Sequence, residues 1–189
     1  MKSLKLLYVV MLLTASAKAF PEENKQLHRI GGFLSGNLVH FATIHTLWKE
    51  SGDQDYEWVN GLVQLHLGHT VSKQLVIPKL KDTFDRERPF GHGNDSFPSG
   101  HAGTAFYPAW YIYERYGMAD ALPYLVGATI AGYARVRNDH HYWSDIAGSA
   151  LVTYGLNQLF TSSMDNPASP VLGVGFNKDG TWINVGMRW

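Results

Sequence analysis

Three short segments of the chain hold residues whose types and spacing could handle an anion. The first is KDTFDRERP, where Lys81 and Arg88 lie seven residues apart and Pro89 follows. Seven residues make about two helical turns, so both cations lean to one side if the helix persists. Lys79 and Arg86 share that separation, and charged helix ends are usually solvated. The second is FPSGHAGTAF, in which Pro98-Ser99-Gly100-His101 precedes an apolar run. On the plainer reading Ser99 caps a helix and His101 is a polar first-turn residue. On the sharper one, free amides at a helix start, a glycine that admits an anion to the backbone and a neighbouring hydroxyl form a phosphate cradle. The third is ARVRNDHHYWSD, where Arg135 precedes His141 by six and Asp145 follows it by four. Positions i and i+4 share a helix face, so the Asp145 carboxylate can accept the proton on one ring nitrogen of His141. The other nitrogen is then free as a nucleophile or base. Taken alone, this pair reads as a helix-surface contact; its occurrence together with the other two segments changes the weighing.

In order and internal spacing, Lys81-x6-Arg88-Pro89, Pro98-Ser99-Gly100-His101 and Arg135-x5-His141-x3-Asp145 resemble the tripartite signature of the type 2 phosphatidic acid phosphatase superfamily. That superfamily includes secreted bacterial acid phosphatases, membrane lipid phosphatases and vanadium haloperoxidases. The resemblance runs from Lys81 to Asp145, and it alone selects Lys81 over Lys79, Arg88 over Arg86, Arg135 over Arg137 and His141 over His140. His92 matches no motif position, and Ala134 stands where the family often has serine, which removes a hydroxyl but no principal role.

The resemblance implies an all-α fold, a compact helical bundle, and phosphoryl transfer. A phosphoryl group in transfer carries charge on its equatorial oxygens, so fixed cations and amides are the main catalytic device. By the resemblance, Lys81, Arg88 and Arg135 supply the cations, while Ser99 and Gly100 add hydroxyl and amide donors. His141 attacks phosphorus to give a phosphohistidine, Asp145 orients its ring, and His101 protonates the departing alkoxide. The scheme requires no metal and no cofactor.

Histidine richness invites a zinc reading, with His66, His69, His92, His101, His140 and His141 as potential ligands. No HExxH is present, however, and the three motif cations would repel a divalent ion. His40, His45, His66 and His69 are expected to be packed or capping residues. The expected function is hydrolysis of phosphate monoesters through phosphohistidine by an exported enzyme acting on a phosphorylated small molecule. The alternative is a membrane-associated lipid phosphate phosphatase acting on phosphatidate or an isoprenyl pyrophosphate. Phe106–Tyr113 and the Tyr142-Trp143 pair would suit such a lipid, or plain core packing. A vanadate-dependent haloperoxidase would use the same cradle, but members of that class are much larger. A protein that merely captures phosphorylated ligands leaves the joint presence of His141, Asp145 and His101 unexplained.

The elements that must position these residues are mostly helical. Met1–Lys5 is basic, Leu6–Leu13 is an unbroken apolar run and Ala17-Lys18-Ala19 closes it with small residues, the layout of a secretory signal peptide. Cleavage is expected after Ala19, giving residues 1–19 as signal, 20–160 as a helical phosphatase domain and 161–189 as a linker with a C-terminal β-hairpin. The product would be periplasmic or secreted. With Lys2, Lys5 and Lys18 gone, 13 basic residues would face 16 acidic ones, a balance that gives no general affinity for nucleic acid. The chain has no cysteine, which excludes thiol catalysis and cysteine-bound zinc and leaves one hydrophobic core to stabilise a single domain.

Helices are predicted over Leu27–Trp48, over Trp58–Phe84 with a kink or break at Pro78, over Ala102–Tyr116 disturbed by Pro108, from a cap at Asp120 toward Arg135, and over Ser144–Phe160. Ala128, Ala131 and Gly132 predict close helix packing. None of these has the 18 apolar residues of a membrane span, although contact with a membrane surface stays open. In the tail, VLGVGF and TWINVGMRW flank Asn177-Lys178-Asp179-Gly180 and predict the hairpin. Two strands cannot close an outer-membrane barrel, so the hairpin is expected to pack on the bundle.

Overall fold

The computed structural model describes residues 25–52, 57–91, 93–164, 172–177 and 180–185. The predicted signal peptide and its cleavage site, residue 92 and turn residues 178–179 lie outside them. Six α-helices are present among the described residues: α1 (Lys25–Glu50), α2 (Glu57–Val71), α3 (Ile77–Phe84), α4 (Gly100–Tyr116), α5 (Met118–Arg137) and α6 (Trp143–Phe160). A π-helical segment, Ser72–Val76, joins α2 to α3, and β1 (Leu172–Asn177) and β2 (Gly180–Val185) form the predicted hairpin.

The bundle is organised around α4. Its residues Ala102, Ala105, Phe106, Tyr107, Ala109, Trp110, Tyr111 and Ile112 are all buried. A helix apolar on every side must be enclosed by its neighbours, and α1, α5 and α6 all pack against it. Pro108 lies inside α4 without ending it. Pro78 likewise does not break the chain of helices: it sits in the first turn of α3, where its missing N–H is tolerated. The irregularity predicted there is the π segment just before it.

Close approaches between small residues bring the site elements together. α1 and α5 run antiparallel, with the Tyr124 hydroxyl donating to the Phe41 carbonyl at 3.1 Å. A Cβ on Gly31 would overlap that of Ala134, so the start of α1 lies directly against the end of α5. A Cβ on Gly132 would stand 2.6 Å from Ile146 Cγ2, which fixes α5 against α6. Ala128 and Ala131 are fully buried in the same seam, as their small size predicts. Asp120 does not cap α5, which starts at Met118 after Gly117 in a positive-φ conformation. Asp120 instead reaches α1, 3.4 Å from His45 Nε2 and 3.3 Å from Lys49 Nζ.

At the end of α4 away from Ser99, the buried guanidinium of Arg115 grips the buried Glu50 carboxylate through Nε at 2.6 Å and Nη2 at 2.7 Å. The Tyr116 hydroxyl donates to the same carboxylate. Residues just after α6, expected to be linker, join this polar core. Thr161 and Ser162 are buried, and Ser162 N donates to Gln64 Oε1 at 3.0 Å. The hairpin is antiparallel with Val174 opposite Ile183, and β1 lies against α2.

Candidate active site

Lys81 lies in the last turn of α3, which stops at Phe84 because Asp85 turns left-handed at φ 41°. The helix therefore does not persist to Arg88, as the two-turn spacing required, and a different device brings the two cations together. The chain after α3 folds back, with Ser96 N bonded to Arg86 O at 2.9 Å and Arg88 N to Gly93 O at 2.7 Å. This loop presents Asp95 to both cations. Arg88 donates to it in two-pronged fashion, Nε to Oδ1 at 2.6 Å and Nη2 to Oδ2 at 2.7 Å. Lys81 donates to the Asp95 carbonyl, and its Nζ lies 3.6 Å from Oδ2. The Arg88 bonds hold the Asp95 carboxyl down at about 2. Lys81 is itself shifted below its ordinary value, by burial first and then by the charge of Arg88, with Asp95 opposing.

The FPSGH segment crosses the mouth of α4 after a cis Phe97–Pro98 peptide bond. Ser99 is the N-cap: extended at φ −71°, ψ 118°, it accepts from Ala102 N at 3.4 Å through Oγ. It is fully buried and tied to α6 twice, its N–H donating to Asp145 O at 3.2 Å and its carbonyl accepting from Ser149 Oγ at 2.8 Å. The capping and cradle readings of Ser99 are thus compatible, because a cap that accepts keeps its hydroxyl proton for another acceptor. Gly100 opens the first turn, and a Cβ there would meet nothing nearer than Lys81 Cε at 4.0 Å. Lys81 accordingly sits at the positive end of α4.

His101 follows, exposed at the surface of the same turn. Desolvation by its neighbours, then the charge of Arg135 and the proximity of His141, His28 and His140 hold its pKa down at about 4. Arg135 ends α5 nearly buried, and its Nε has no hydrogen-bond partner. A buried guanidinium with an unused donor is costly unless an anion completes it. Its pKa is lowered by burial and by Arg88, so those two cations also feel each other.

Past Arg135 the chain reverses through Asp139 at φ 56°, with His140 N bonded to Arg135 O at 3.0 Å. This returns His141 to the site, nearly buried, with Nδ1 3.5 Å from Asp145 Oδ2. Burial lowers the His141 pKa, Asp145 opposes, and Lys81 and Arg88 lower it further. Asp145 is fully buried and accepts from three donors: Arg86 Nη1 at 2.7 Å, Ser96 Oγ at 2.5 Å and Tyr142 N at 2.8 Å. Burial alone would raise its pKa, but His141, Ser96, the Tyr142 amide and Arg86 together hold it below the ordinary carboxylate value.

Lys81, Arg88, Ser99, Gly100, His101, Arg135, His141 and Asp145 are therefore gathered around the start of α4. Ser96 and Asp95 join them although no spacing in the sequence singled them out, and so does Arg86, which the resemblance passed over for Arg88. Their signal is three-dimensional: each bonds a residue of the motifs across a loop. His28 and His140, with ring centroids 5.5 Å apart, complete the cluster on the α1 side. No group of three or more metal-ligating side chains exists among the described residues. His45, His66 and His69 have other engagements: His45 with Asp120, His66 with Thr43 Oγ1 at 3.1 Å, and His69 edge-on to Tyr107.

The PAP2 superfamily model matches residues 61–167. The chain is 30% identical over 203 residues to a lipid A 4'-phosphatase of Helicobacter pylori, covering 94% of this chain and 98% of that protein. It is 37% identical over 75 residues to a lipid A 1-phosphatase of Porphyromonas gingivalis, covering 38% of this chain and 17% of that one. No solved structure matches the chain.

Proposed function

The chain belongs to the PAP2 superfamily, and on that premise we propose that it is a phosphatase of lipid phosphates, working at a membrane surface through a phosphohistidine on His141. The observation that carries the phosphatase reading is the unpartnered Nε of the buried Arg135, in a region where Arg135 feels the charge of Arg88 and is felt by His101. Such a concentration of positive charge and orphan donors suits a tetrahedral dianion.

In the proposed reaction Asp145 accepts the Nδ1 proton of His141, so that Nε2 carries the free lone pair. Nε2 attacks phosphorus in line and the bond from phosphorus to the ester oxygen breaks. His101 gives its proton to the departing alkoxide. Water then attacks the phosphohistidine with its proton passing to His101, and inorganic phosphate leaves with His141 restored. Every cation in this scheme comes from the chain, so no metal takes part.

The lipid reading, rather than a soluble monoester, is favoured by the relatives and by the surface that leads to the site. α1 exposes Ile30, Phe33, Phe41, Ile44 and Trp48 at intervals of three, eight, three and four residues, a single helical stripe. α5 exposes Met118, Leu122, Val126, Ile130 and Tyr133 in the same manner. Exposed apolar area on this scale marks an interaction surface. The α5 stripe ends at Tyr133, whose ring is 6.1 Å from that of Trp143, beside the His141 segment. Among the described residues no helix is long and apolar enough to cross a membrane, so these stripes would lie on a bilayer rather than in it. Phosphorylated lipid A, named in both relatives, is the first lipid to test.

The deciding experiment measures phosphate release from lipid A and phosphatidate in detergent micelles against phenyl phosphate in solution. A kcat/KM at least roughly tenfold higher for a micellar lipid is expected. Turnover of phenyl phosphate with none of either lipid would sink the lipid reading and restore the soluble one.

A further inference from the structure

Among the described residues, three that are not glycine have left-handed backbone: Asp85, Phe90 and Asp139. Aspartate tolerates that conformation, whereas a bulky side chain in it is an outlier. Phe90, at φ 57° and ψ 24°, occupies the third position of a turn that Gly91 N closes on Arg88 O at 3.2 Å. Turns with positive φ at that position usually hold glycine or asparagine there. The ring is 76% exposed, so packing within the molecule does little to offset the strain. A strained residue of this kind persists where its surroundings fix it, and it points to function rather than to the fold.

The surroundings do fix it. Arg88 N donates to Gly93 O at 2.7 Å, and the Asp95 carboxylate binds the Arg88 guanidinium through both oxygens. The turn is thus anchored on a residue of the cradle, two positions before the ring. Phe84, which ends α3, is 56% exposed, with its ring edge-on to Phe97 at 4.7 Å. The exposed Tyr142 ring lies under the Arg86 guanidinium at 4.5 Å. Exposed aromatic rings therefore stand beside the cations Arg86 and Arg88.

That combination fits a lipid surface better than a soluble ester. At a bilayer interface anionic headgroups lie directly over apolar carbon, and aromatic rings are favoured at that depth. A phosphate gripped by Arg88 and Lys81 as part of a lipid brings this layer to the turn that carries Phe90. A phosphate ester free in solution brings no apolar phase for the ring to enter.

We propose that Phe90 is a membrane anchor, its ring leaving water for the interfacial layer of the bilayer that carries the phosphorylated lipid. The inference rests on the lipid reading above and adds to it a residue that belongs to neither helical stripe. Transfer of the ring out of water supplies the stabilisation that the turn lacks in the free protein.

The chain has no cysteine, so Phe90→Cys gives a single thiol for an environment-sensitive nitrobenzoxadiazole label. The label is read on the full-length chain with His141→Gln added, so that phosphatidate is not consumed. Vesicles of phosphatidylcholine and phosphatidate are expected to shift its emission to the blue, and brominated acyl chains to quench it. Glycerol 3-phosphate, the same headgroup without chains, should leave the emission unchanged. In a second variant, Phe90→Asn, a residue that accepts left-handed backbone replaces the ring. It should raise the melting temperature while weakening binding to the same vesicles by about tenfold. Emission that stays unshifted while the protein sediments with the vesicles would overturn the proposal, as would an equal shift with glycerol 3-phosphate. A lower melting temperature with unchanged vesicle binding in Phe90→Asn would overturn it too, by showing that the ring serves the fold. Failure of the lipid reading itself is read separately, as release of phosphate from phenyl phosphate by an unsubstituted protein that does not sediment with the vesicles at all.

Discussion

Arg86 Nη1 lies 2.7 Å from Asp145 Oδ1, an ion pair that joins the loop after α3 to the first turn of α6. The carboxylate is wholly buried while the guanidinium is partly exposed and rests over the Tyr142 ring at 4.5 Å. Arg86 therefore acts on the His141–Asp145 pair from behind, through the oxygen that His141 does not face. Arg86→Met should lower kcat by roughly 10- to 100-fold, the range seen when a partner orienting a catalytic side chain is lost. Asp145 would also lose one of the influences that hold its pKa down. Since it must be ionised to accept the His141 proton, the acidic limb of the kcat–pH profile should move to higher pH. Arg86→Lys should recover part of both effects. An unchanged pH profile with lowered kcat would show that Arg86 serves the fold alone.

The motif residues were legible because their types carry the chemistry and their spacings survive within single turns: the i, i+4 step from His141 to Asp145 and the cap-to-first-turn run Ser99–His101. Lys81 and Arg88 were legible as a pair, but not the means of their meeting. A helix with a left-handed stop at Asp85 and a loop closed on Asp95 replaces the two-turn face that spacing implied. Arg86 read as a solvated helix-end charge and Asp95 carried no reading, because their partners lie across a loop or 59 residues away. The helices were legible from apolar patterning and the hairpin from its period. The π segment was not, since an i→i+5 turn has no apolar rhythm of its own in five residues.

Asp95 occupies the two cations that a phosphoryl group needs. A dianion must compete with that carboxylate, so Asp95→Asn should tighten inhibition by inorganic phosphate or vanadate several-fold, an effect of about 1 kcal/mol for an exposed ion pair. Steady-state inhibition constants check this. Weaker inhibition in the variant would mean that Asp95 organises Lys81 and Arg88 rather than competing for them.

His101 and His140 both have pKa values near 4 in the ligand-free site. The unfolded chain takes up these protons near 6.5, so it binds more protons than the native protein between about pH 6.5 and 4. Stability should be fully present above pH 6.5 and fall as pH drops through that window. A bound dianion reverses the effect by favouring protonated imidazole. Sulfate, which does not titrate in this range, should raise the melting temperature more at pH 5 than at pH 8. His101→Gln should reduce that difference, and a sulfate effect independent of pH would contradict the assignment.

Arg115 and Glu50 are both buried and joined by two short bonds, far from the cradle. Arg115→Met leaves the Glu50 carboxylate without its charge partner, a loss of about 3–5 kcal/mol. In a domain of this size that lowers the melting temperature by roughly 10 °C or more. Adding Glu50→Gln should restore much of the loss, because the stranded charge is then gone. kcat/KM measured well below the transition should change little, which separates this polar core from the catalytic one.

The apolar stripe on α5 gives the lipid reading a test that leaves the cradle untouched. Leu122 and Val126 are 57% and 51% exposed and lie about three and a half and two and a half turns before Arg135, so a charge at either disturbs no packed neighbour. The double change Leu122→Glu, Val126→Glu should leave kcat for phenyl phosphate within about twofold, since exposed substitutions seldom alter a rigid site. Two carboxylates on an interfacial face oppose both the apolar contact and any anionic lipid surface. Sedimentation with anionic vesicles should therefore fall, and turnover of vesicle-borne lipid phosphate should fall with it by roughly tenfold or more. If the variant sediments and turns over vesicle lipid like the unsubstituted protein, the substrate reaches His141 by another face, and the α5 stripe has some other partner.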